Sequence, residues 1–122
     1  MSRKAITIDD SASMRQMVRL TLKQCGFEVL EAENGQSALN QLKSTQVDLV
    51  ICDVNMPIMN GIETTRQLRA MPNYRRTPIV LLTTESEESK KMAGRQAGAT
   101  GWIIKPFQPA QLQKVVQRVL PN

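Results

Sequence analysis

The segment Val47-Asp48-Leu49-Val50-Ile51-Cys52 decides the fold, because its last four residues form an uninterrupted apolar run. A strand with one solvated face alternates apolar and polar residues, whereas a strand buried on both faces of a parallel sheet reads as a continuous apolar run. The segment Pro78-Ile79-Val80-Leu81-Leu82 has the same character. Helices must therefore cover both faces of the sheet that contains these strands.

Outward from this segment, short runs rich in β-branched residues alternate with longer helical patterns. The predicted strands are Lys4–Ile8, Glu28–Leu30, Val47–Cys52, Pro78–Leu82 and Gly101–Ile104. The predicted helices are one from about Met14 that ends before Gly26, then Gln36–Lys43, Ile62–Ala70, Glu85–Ala97, and a fifth that opens with Pro109. Five βα units in series imply a parallel α/β sheet with right-handed crossovers.

The fourth predicted helix is the least regular of the five. It contains Gly94, which costs about 1 kcal/mol relative to Ala inside a helix, and it offers few apolar contacts. Two interpretations stay open: a weakly held helix that moves easily, and a poor helix that packing stabilises.

Length and composition indicate one globular domain that spans residues 1–122. Hydrophobic residues make up 41% and charged residues 22%, which excludes disordered and coiled-coil classes. No apolar stretch approaches the roughly 20 residues that a membrane span needs, and no signal segment follows Met1. We therefore expect a cytoplasmic protein without membrane insertion.

The cysteine content and the charge narrow the class further. Cys25 and Cys52 are expected to be reduced, buried thiols, and the absence of histidine argues against a zinc site. The net charge of +5 could attract nucleic acid or an acidic partner. Because the basic residues are spread over the whole chain, a protein partner is favoured and nucleic-acid binding is not expected.

Polar side chains stand at the carboxyl ends of the predicted strands, the edge of a parallel sheet where ligands bind. They are Asp9, Asp10, Asp53, Thr83 and Lys105. Three close carboxylates repel one another unless a proton or a cation is bound, and such hard oxygen ligands suit Mg²⁺. A carboxylate can also attack a phosphoryl group whose oxygens a metal, a Lys and a hydroxyl stabilise. This edge therefore predicts Mg²⁺-assisted phosphoryl transfer.

Each of these residues also has an ordinary interpretation. The two acids after the first strand can cap the first helix, together with Ser11 or Ser13. Asp53 can be a turn acid, Thr83 a simple strand residue and Lys105 a solvated amine. Their common position at one sheet edge is what favours a site.

The motifs at these strand ends resemble the receiver domain of two-component response regulators. The matching segments are Ile8-Asp9-Asp10, Asp53–Pro57 with Asn60-Gly61, Leu82-Thr83, Gly98–Gly101 and Lys105-Pro106-Phe107. They cover essentially the whole chain and are most similar to stand-alone chemotaxis regulators of the CheY type. The resemblance implies a doubly wound, five-stranded parallel sheet of strand order 2-1-3-4-5 with five helices.

The resemblance also implies a role for each site residue. Asp53 is the expected phosphoacceptor, with a phosphohistidine of a histidine kinase or phosphotransfer domain as donor. The expected Mg²⁺ ligands are Asp9, Asp10, Asp53 and the main-chain carbonyl of Asn55. Thr83 and Lys105 are expected to contact the phosphoryl oxygens, and the Lys105–Pro106 bond to be cis.

Several positions depart from the family or tune it. Trp102 replaces the usual Tyr or Phe, and it either turns inward when Thr83 moves toward the phosphoryl group or only packs on the sheet edge. Asn55 and Glu85 resemble the pair found in regulators whose acyl phosphate hydrolyses quickly. A short-lived signal is therefore expected.

The family's output surface lies on the fourth helix, fifth strand and fifth helix. Lys91 and Arg95 occupy positions there that are small or apolar in relatives that bind the flagellar switch. Cations on such a face weaken docking through desolvation, unless both side chains snorkel.

On the first helix, a basic stripe either steers an acidic partner or is only a solvated face. The stripe consists of Arg15, Arg19 and Lys23.

Three hypotheses for the function follow. The leading one is a monomeric response regulator in chemotaxis, with a phosphorelay intermediate or phosphate sink as the alternative output. A small phosphatase of the haloacid dehalogenase type would need a second Asp two residues after Asp53, where this chain has Asn55. A receiver-shaped interaction module that is never phosphorylated usually lacks a site residue, and all are present here. We therefore expect a signalling domain and not an enzyme.

Overall fold

A computed structural model describes residues 3–84 and 88–120 of the chain. Its strands are β1 (Arg3–Ile8), β2 (Phe27–Ala32), β3 (Leu49–Asp53), β4 (Ile79–Thr83) and β5 (Gly101–Ile104). Its helices are α1 (Ala12–Gln24), α2 (Gly35–Leu42), α3 (Gly61–Ala70), α4 (Glu88–Ala97) and α5 (Pro109–Val119). Strands and helices alternate as predicted, with one added 3-10 turn, Pro72–Tyr74, before β4.

The five strands form one parallel sheet in the order β2-β1-β3-β4-β5, which confirms the predicted doubly wound topology. The chain builds outward from the centre in both directions, so the strand order reverses between β1 and β3. Ligand sites in such sheets lie at the carboxyl ends of the strands beside this reversal. The residues that end β1 and β3 are therefore the first candidates for a site.

Two hydrophobic cores, one on each face of the sheet, explain the continuous apolar runs in the sequence. Val50 and Leu81 belong to the core that includes residues of α2 and α3. Ile51 and Val80 point the other way, into the core that includes residues of α1 and α5. Every residue of β3 and β4 is buried, because helices cover both faces.

Some element boundaries differ from the sequence predictions. The predicted second strand, Glu28–Leu30, is too short, because all six residues of β2 pair with β1. Cys25 is exposed and not buried as predicted, since it directly follows the last residue of α1, whereas Cys52 is buried and both thiols are free. Gly26 follows with φ +94°, the left-handed conformation that ends helices.

The helices are short and amphipathic. The longest, α1, has 13 residues. Within the described ranges, no helix is both long enough and apolar enough to cross a membrane. The predicted start of the fourth helix at Glu85 lies outside the described residues, and α4 begins at Glu88.

Gly94 lies where α4 packs tightly against side chains of β4 and β5. A Cβ atom at this position would lie 2.9 Å from Cζ3 of Trp102 and 3.1 Å from Cδ1 of Leu81. The glycine that weakens the helix therefore makes room for the indole ring beneath it. This contact supports the interpretation of a poor helix that packing stabilises.

We predict that Gly94→Ala displaces the Trp102 ring and lowers the free energy of unfolding. Overpacking costs about 1–3 kcal/mol, which exceeds the gain of about 1 kcal/mol in helix propensity. Urea unfolding and the emission maximum of Trp102, the single tryptophan of the chain, measure both effects. Gln96→Ala, at an exposed position of the same helix, is the control and should not alter the emission. A more stable Gly94→Ala variant with unchanged emission would show that this close approach is not a constraint.

Candidate functional site

The structure brings the predicted site residues together at the carboxyl edge of the sheet. Asp9 follows β1, Asp53 and Thr83 are the last residues of β3 and β4, and Lys105 follows β5. The Lys105 ammonium group lies 2.7 Å from Oδ1 of Asp53 and 3.4 Å from Oδ2 of Asp9. Asp9, Asp53 and Thr83 are buried, so this is an enclosed ionic cluster and not a set of solvated side chains.

Asp10 completes a group of three carboxylates. One oxygen each of Asp9, Asp10 and Asp53 lies within 4.8 Å of the other two. Asp10 is exposed, which leaves one side of the group open to solvent. Hard carboxylate oxygens with an open side are the ligands that Mg²⁺ prefers, since this ion keeps several of its waters. The donor set therefore fits Mg²⁺.

Backbone contacts fix the positions of these side chains. The Lys105 N–H donates to the Thr83 carbonyl at 2.6 Å, which continues the β4–β5 ladder to the site, and the Lys105–Pro106 bond is cis as expected. Asp9 is held by its own N–H, which donates to the Ala32 carbonyl at 3.0 Å, and by the Ser11 N–H, which donates to Oδ1 at 2.9 Å. The N-cap residue of α1 is Ser11, so the Asp9 side chain does not cap this helix.

Gly61 lets the start of α3 pass directly over the end of β3. A Cβ atom there would lie 2.2 Å from the main-chain oxygen of Asp53, so only glycine fits without a backbone shift. The side chain of Asn60 caps the same helix by accepting a hydrogen bond from the Glu63 N–H at 2.8 Å. The Asn60-Gly61 pair therefore holds the start of α3 directly against the main chain of Asp53.

The electrostatics of the cluster favour a bound cation. Burial raises the pKa of Asp53 above its ordinary value of 3.8, and the charges of Asp9 and Asp10 add to this, while Lys105 offsets only part of it. Burial alone would lower the pKa of Lys105, but its bonds to Asp53 and Asp9 outweigh burial and raise it. Lys105 therefore stays protonated, and the ionised form of Asp53 lacks sufficient positive charge around it.

The neighbouring Cys52 thiol takes no part in this chemistry. Burial and the two nearby carboxylates raise its pKa far above the ordinary value. The thiol therefore stays protonated, and its sulfur lies 3.3 Å from the main-chain oxygen of Asp53, to which it donates.

Asn55 and Glu85, the predicted tuning pair, are only partly described. Asn55 lies two residues beyond the end of β3, and its side chain is exposed. Glu85 lies outside the described residues. The expected roles of both residues remain predictions.

Trp102 lies on β5 and packs against α4. Its ring packs under Gly94, and its Nε1 atom is buried without a hydrogen-bond acceptor in the described part of the chain. Lys91 and Arg95 of α4 line two pockets that both include Trp102. The three predicted output residues therefore share one surface, away from the carboxylates.

Sequence reasoning missed the role of Arg15, which it placed on a basic stripe. The Arg15 guanidinium donates to the main-chain oxygen of Asp9 at 2.6 Å and pairs with Glu31 at 3.3 Å. Arg19 also lies near Glu31, at 3.8 Å. One carboxylate of β2 therefore offsets part of the charge of this stripe, through a contact that no local pattern in the sequence predicts.

Comparisons with known proteins agree with this geometry. The sequence model of the response regulator receiver domain matches residues 5–117. A chemotaxis protein CheY homolog of Campylobacter jejuni is 39% identical over 119 residues, which cover 96% of this chain and 92% of that protein. The crystallised chemotaxis protein CheY4 of Vibrio cholerae is 46% identical with a TM-score of 0.94, over 98% of this chain and all of that one.

A third similarity bears on the metal. The receiver domain of a sensor histidine kinase from Pseudomonas aeruginosa, whose structure has a magnesium ion coordinated in its active site cleft, is 27% identical with a TM-score of 0.87 over 97% of both chains. The present chain belongs to the response regulator receiver family. It is thus a phosphorylation-controlled signalling module and not a phosphatase of the haloacid dehalogenase type, and a histidine kinase is the class of partner that this family implies.

We predict that Asp53→Asn raises the free energy of unfolding of the metal-free protein at neutral pH. The substitution removes one of three crowded carboxylates, while Lys105 keeps Asp9 as its partner. Because the pKa of Asp53 is raised in the folded state, the folded protein holds this proton to a higher pH than the unfolded chain does. The stability of wild type therefore falls as the pH rises from the ordinary pKa of Asp53 to its pKa in the folded state. The gain in stability of Asp53→Asn should therefore be largest at neutral pH. It should disappear below about pH 3.8, where the side chain at position 53 is uncharged in wild type and variant alike.

Urea unfolding between pH 3 and 8 with a chelator present measures this difference. Asp48→Asn is the control, because the exposed Asp48 side chain accepts the Lys4 N–H at 2.9 Å far from the cluster. A variant at position 53 that is less stable than wild type at every pH would show that the Lys105 ion pair outweighs the repulsion.

Proposed function

We propose that this chain is a response regulator in which Asp53 accepts a phosphoryl group from a phosphohistidine of a histidine kinase or phosphotransfer domain. The observation that carries the proposal is the 2.7 Å contact between Lys105 Nζ and Asp53 Oδ1. In addition, one oxygen of Asp53 lies within 4.8 Å of an oxygen of Asp9 and of Asp10. A carboxylate needs a fixed ammonium group and a cation beside it to approach a charged phosphoryl group. Few structural roles would require this buried arrangement.

The chemistry follows from the positions of the side chains. The free oxygen of the Asp53 carboxylate attacks phosphorus, the phosphorus–nitrogen bond breaks, and the histidine leaves with the electron pair and takes up a proton. Lys105 and Thr83 stabilise the phosphoryl oxygens as charge develops. When bound by Asp9, Asp10, Asp53 and the main-chain carbonyl of Asn55, Mg²⁺ supplies the positive charge that neutralises the crowded oxygens.

We propose that the phosphoryl group acts on the surface of α4, β5 and α5. It adds about −1.5 to −2 charges at the end of β4, beside Thr83 and Lys105. Thr83 then moves toward the phosphoryl oxygens, and Trp102 and α4 respond to the space that it leaves. Support comes from β5, a four-residue edge strand that carries Trp102 and leads directly into Lys105.

We propose that this regulator acts in chemotaxis. We also propose that residues 1–122 form one domain, which acts as a monomer in the cytoplasm. The similarity to chemotaxis regulators of Vibrio cholerae and Campylobacter jejuni supports this assignment. Lys91 and Arg95 favour an output other than tight docking to the flagellar switch, such as phosphate relay or a phosphate sink. Asn55 and Glu85 favour an acyl phosphate of short lifetime.

We predict that Mg²⁺ raises the Tm of the wild-type protein. An ion at ten times its Kd adds about 1.4 kcal/mol, which corresponds to roughly 4 to 7 °C for a domain of this size. Thermal unfolding followed by circular dichroism, with and without Mg²⁺, measures the increase. Asp10→Asn should reduce it and Asp48→Asn should not. A Tm that Mg²⁺, Ca²⁺ and Mn²⁺ all leave unchanged would contradict a metal site.

We predict that acetyl phosphate adds one phosphoryl group to the protein in the presence of Mg²⁺. Intact-mass spectrometry detects the gain, and peptide mapping assigns it to Asp53. The gain should be absent in Asp53→Asn and retained in Asp48→Asn. No gain under any condition would favour the interaction module that is never phosphorylated, whereas an equal gain in Asp53→Asn would assign another acceptor.

A further inference from the structure

Arg15 of α1 reaches the main chain between the first two acids of the cluster. Its Nη1 atom donates to the main-chain oxygen of Asp9 at 2.6 Å. The Arg15 side chain is 17% exposed, whereas that of Arg19, one turn later on the same helix, is 40% exposed. Arg15 is therefore held against the site, whereas Arg19 is more open to solvent.

The oxygen that Arg15 contacts belongs to the peptide group that joins Asp9 to Asp10. A peptide group is planar, so the Cα atoms of both residues lie in the plane that contains this oxygen. A hydrogen bond to the oxygen therefore restricts rotation of the plane, which sets the direction in which each side chain leaves the backbone. Arg15 thus acts on two of the expected Mg²⁺ ligands through one contact.

The two acids depend on this plane to different degrees. Asp9 is buried, its N–H donates to the Ala32 carbonyl at 3.0 Å, and its Oδ1 atom accepts the Ser11 N–H at 2.9 Å. Asp10 is exposed, so packing does not confine its side chain. Loss of the Arg15 contact should therefore release Asp10 more than Asp9.

Glu31 of β2 fixes the direction of the Arg15 side chain. The Nε atom of Arg15 donates to Oε1 of Glu31 at 3.3 Å. Because the guanidinium group is planar and its donors have fixed directions, a bond at Nε also determines where Nη1 points. Glu31 therefore acts, through Arg15, on the peptide group that joins Asp9 to Asp10.

We propose that Arg15, oriented by Glu31, is a positioning residue for the Mg²⁺ site. It holds the peptide group between Asp9 and Asp10 in the orientation in which both carboxylates bind one ion. The proposal rests on the proposed function, because it concerns the metal site that the phosphoryl transfer uses. Removal of a group that orients metal ligands typically weakens metal binding by about 10- to 100-fold.

The charge and the position of Arg15 have opposite effects on cation binding. Arg15→Met retains an unbranched side chain but removes a positive charge beside the acids, a change that alone would strengthen cation binding. Loss of the hydrogen bond to the Asp9 oxygen would weaken it. Arg19→Met is the matched control, because within the described residues Arg19 pairs with Glu31 but forms no hydrogen bond to Asp9. It therefore measures the effect of charge alone.

The Tm measured as a function of Mg²⁺ concentration, at constant ionic strength, gives the Kd of each folded variant. We expect Arg15→Met to raise the Kd about tenfold, and Arg19→Met to leave it unchanged or to lower it slightly. Glu31→Ala should raise the Kd of wild type but add less than about twofold in the Arg15→Met background, because it acts through Arg15. Circular dichroism of the metal-free proteins verifies that the variants fold.

Two results would overturn the proposal. An unchanged Kd in Arg15→Met, with a Tm that is lower by the same amount at every Mg²⁺ concentration, would assign Arg15 to stability alone. An equally lowered Kd in Arg15→Met and Arg19→Met would show that both residues act only through their charge.

Acetyl phosphate distinguishes failure of this proposal from failure of the proposed function. A Kd that depends on Arg15, in a protein that never takes up a phosphoryl group on Asp53, would overturn the proposed function alone. Phosphorylation of Asp53, detected by mass, with the same half-saturating Mg²⁺ concentration in wild type and Arg15→Met would overturn the role of Arg15 alone.

Discussion

The ionic contact between Lys105 and Asp53 is the interaction around which the candidate site is built. One partly buried ammonium group faces two buried carboxylates and a third at the surface, so the cluster carries more negative charge than its surroundings balance. An arrangement of this kind costs stability in the absence of a cation. It persists because the backbone at the ends of β1, β3 and β5 fixes the participants. This cost is the reason that the site favours a bound cation.

The parallel sheet supplies that backbone rigidity. Asp53 ends a strand that is buried on both faces, and Gly61 brings the next helix against its main-chain oxygen. Asp9 is held by β2 through Ala32 and from α1 through the Arg15 guanidinium. The backbones of Asp9 and Asp53 are therefore each held by a neighbouring element of the fold. Exposed Asp10 is the exception, and it leaves the cluster its open side.

Local sequence patterns were sufficient for the parallel α/β class, the strand ends and the residues of the cluster, whereas the strand order followed from the family resemblance. Apolar runs mark buried strands, and a polar residue directly after such a run must lie at the carboxyl edge. Contacts across the fold were not predictable in this way. The helix-weakening Gly94 was recognised, but its purpose depends on Trp102, eight residues later and on another element. Likewise, Arg15 and Glu31 meet only because α1 packs beside β2.

The site and the surface that carries Lys91 and Arg95 are joined by β5, which is short and lies at the sheet edge. Trp102 and Ile104 of β5 line a pocket with Lys91 and Arg95, and Lys105 follows directly into the ionic cluster. Because β5 pairs only with β4, its displacement breaks fewer ladder hydrogen bonds than displacement of an inner strand would. The Lys105 N–H, bonded to the Thr83 carbonyl, is the last of these contacts. Asp53 contacts this edge of the sheet through Lys105, whose ammonium group lies 2.7 Å from the Asp53 carboxylate and which directly follows Ile104 in the chain.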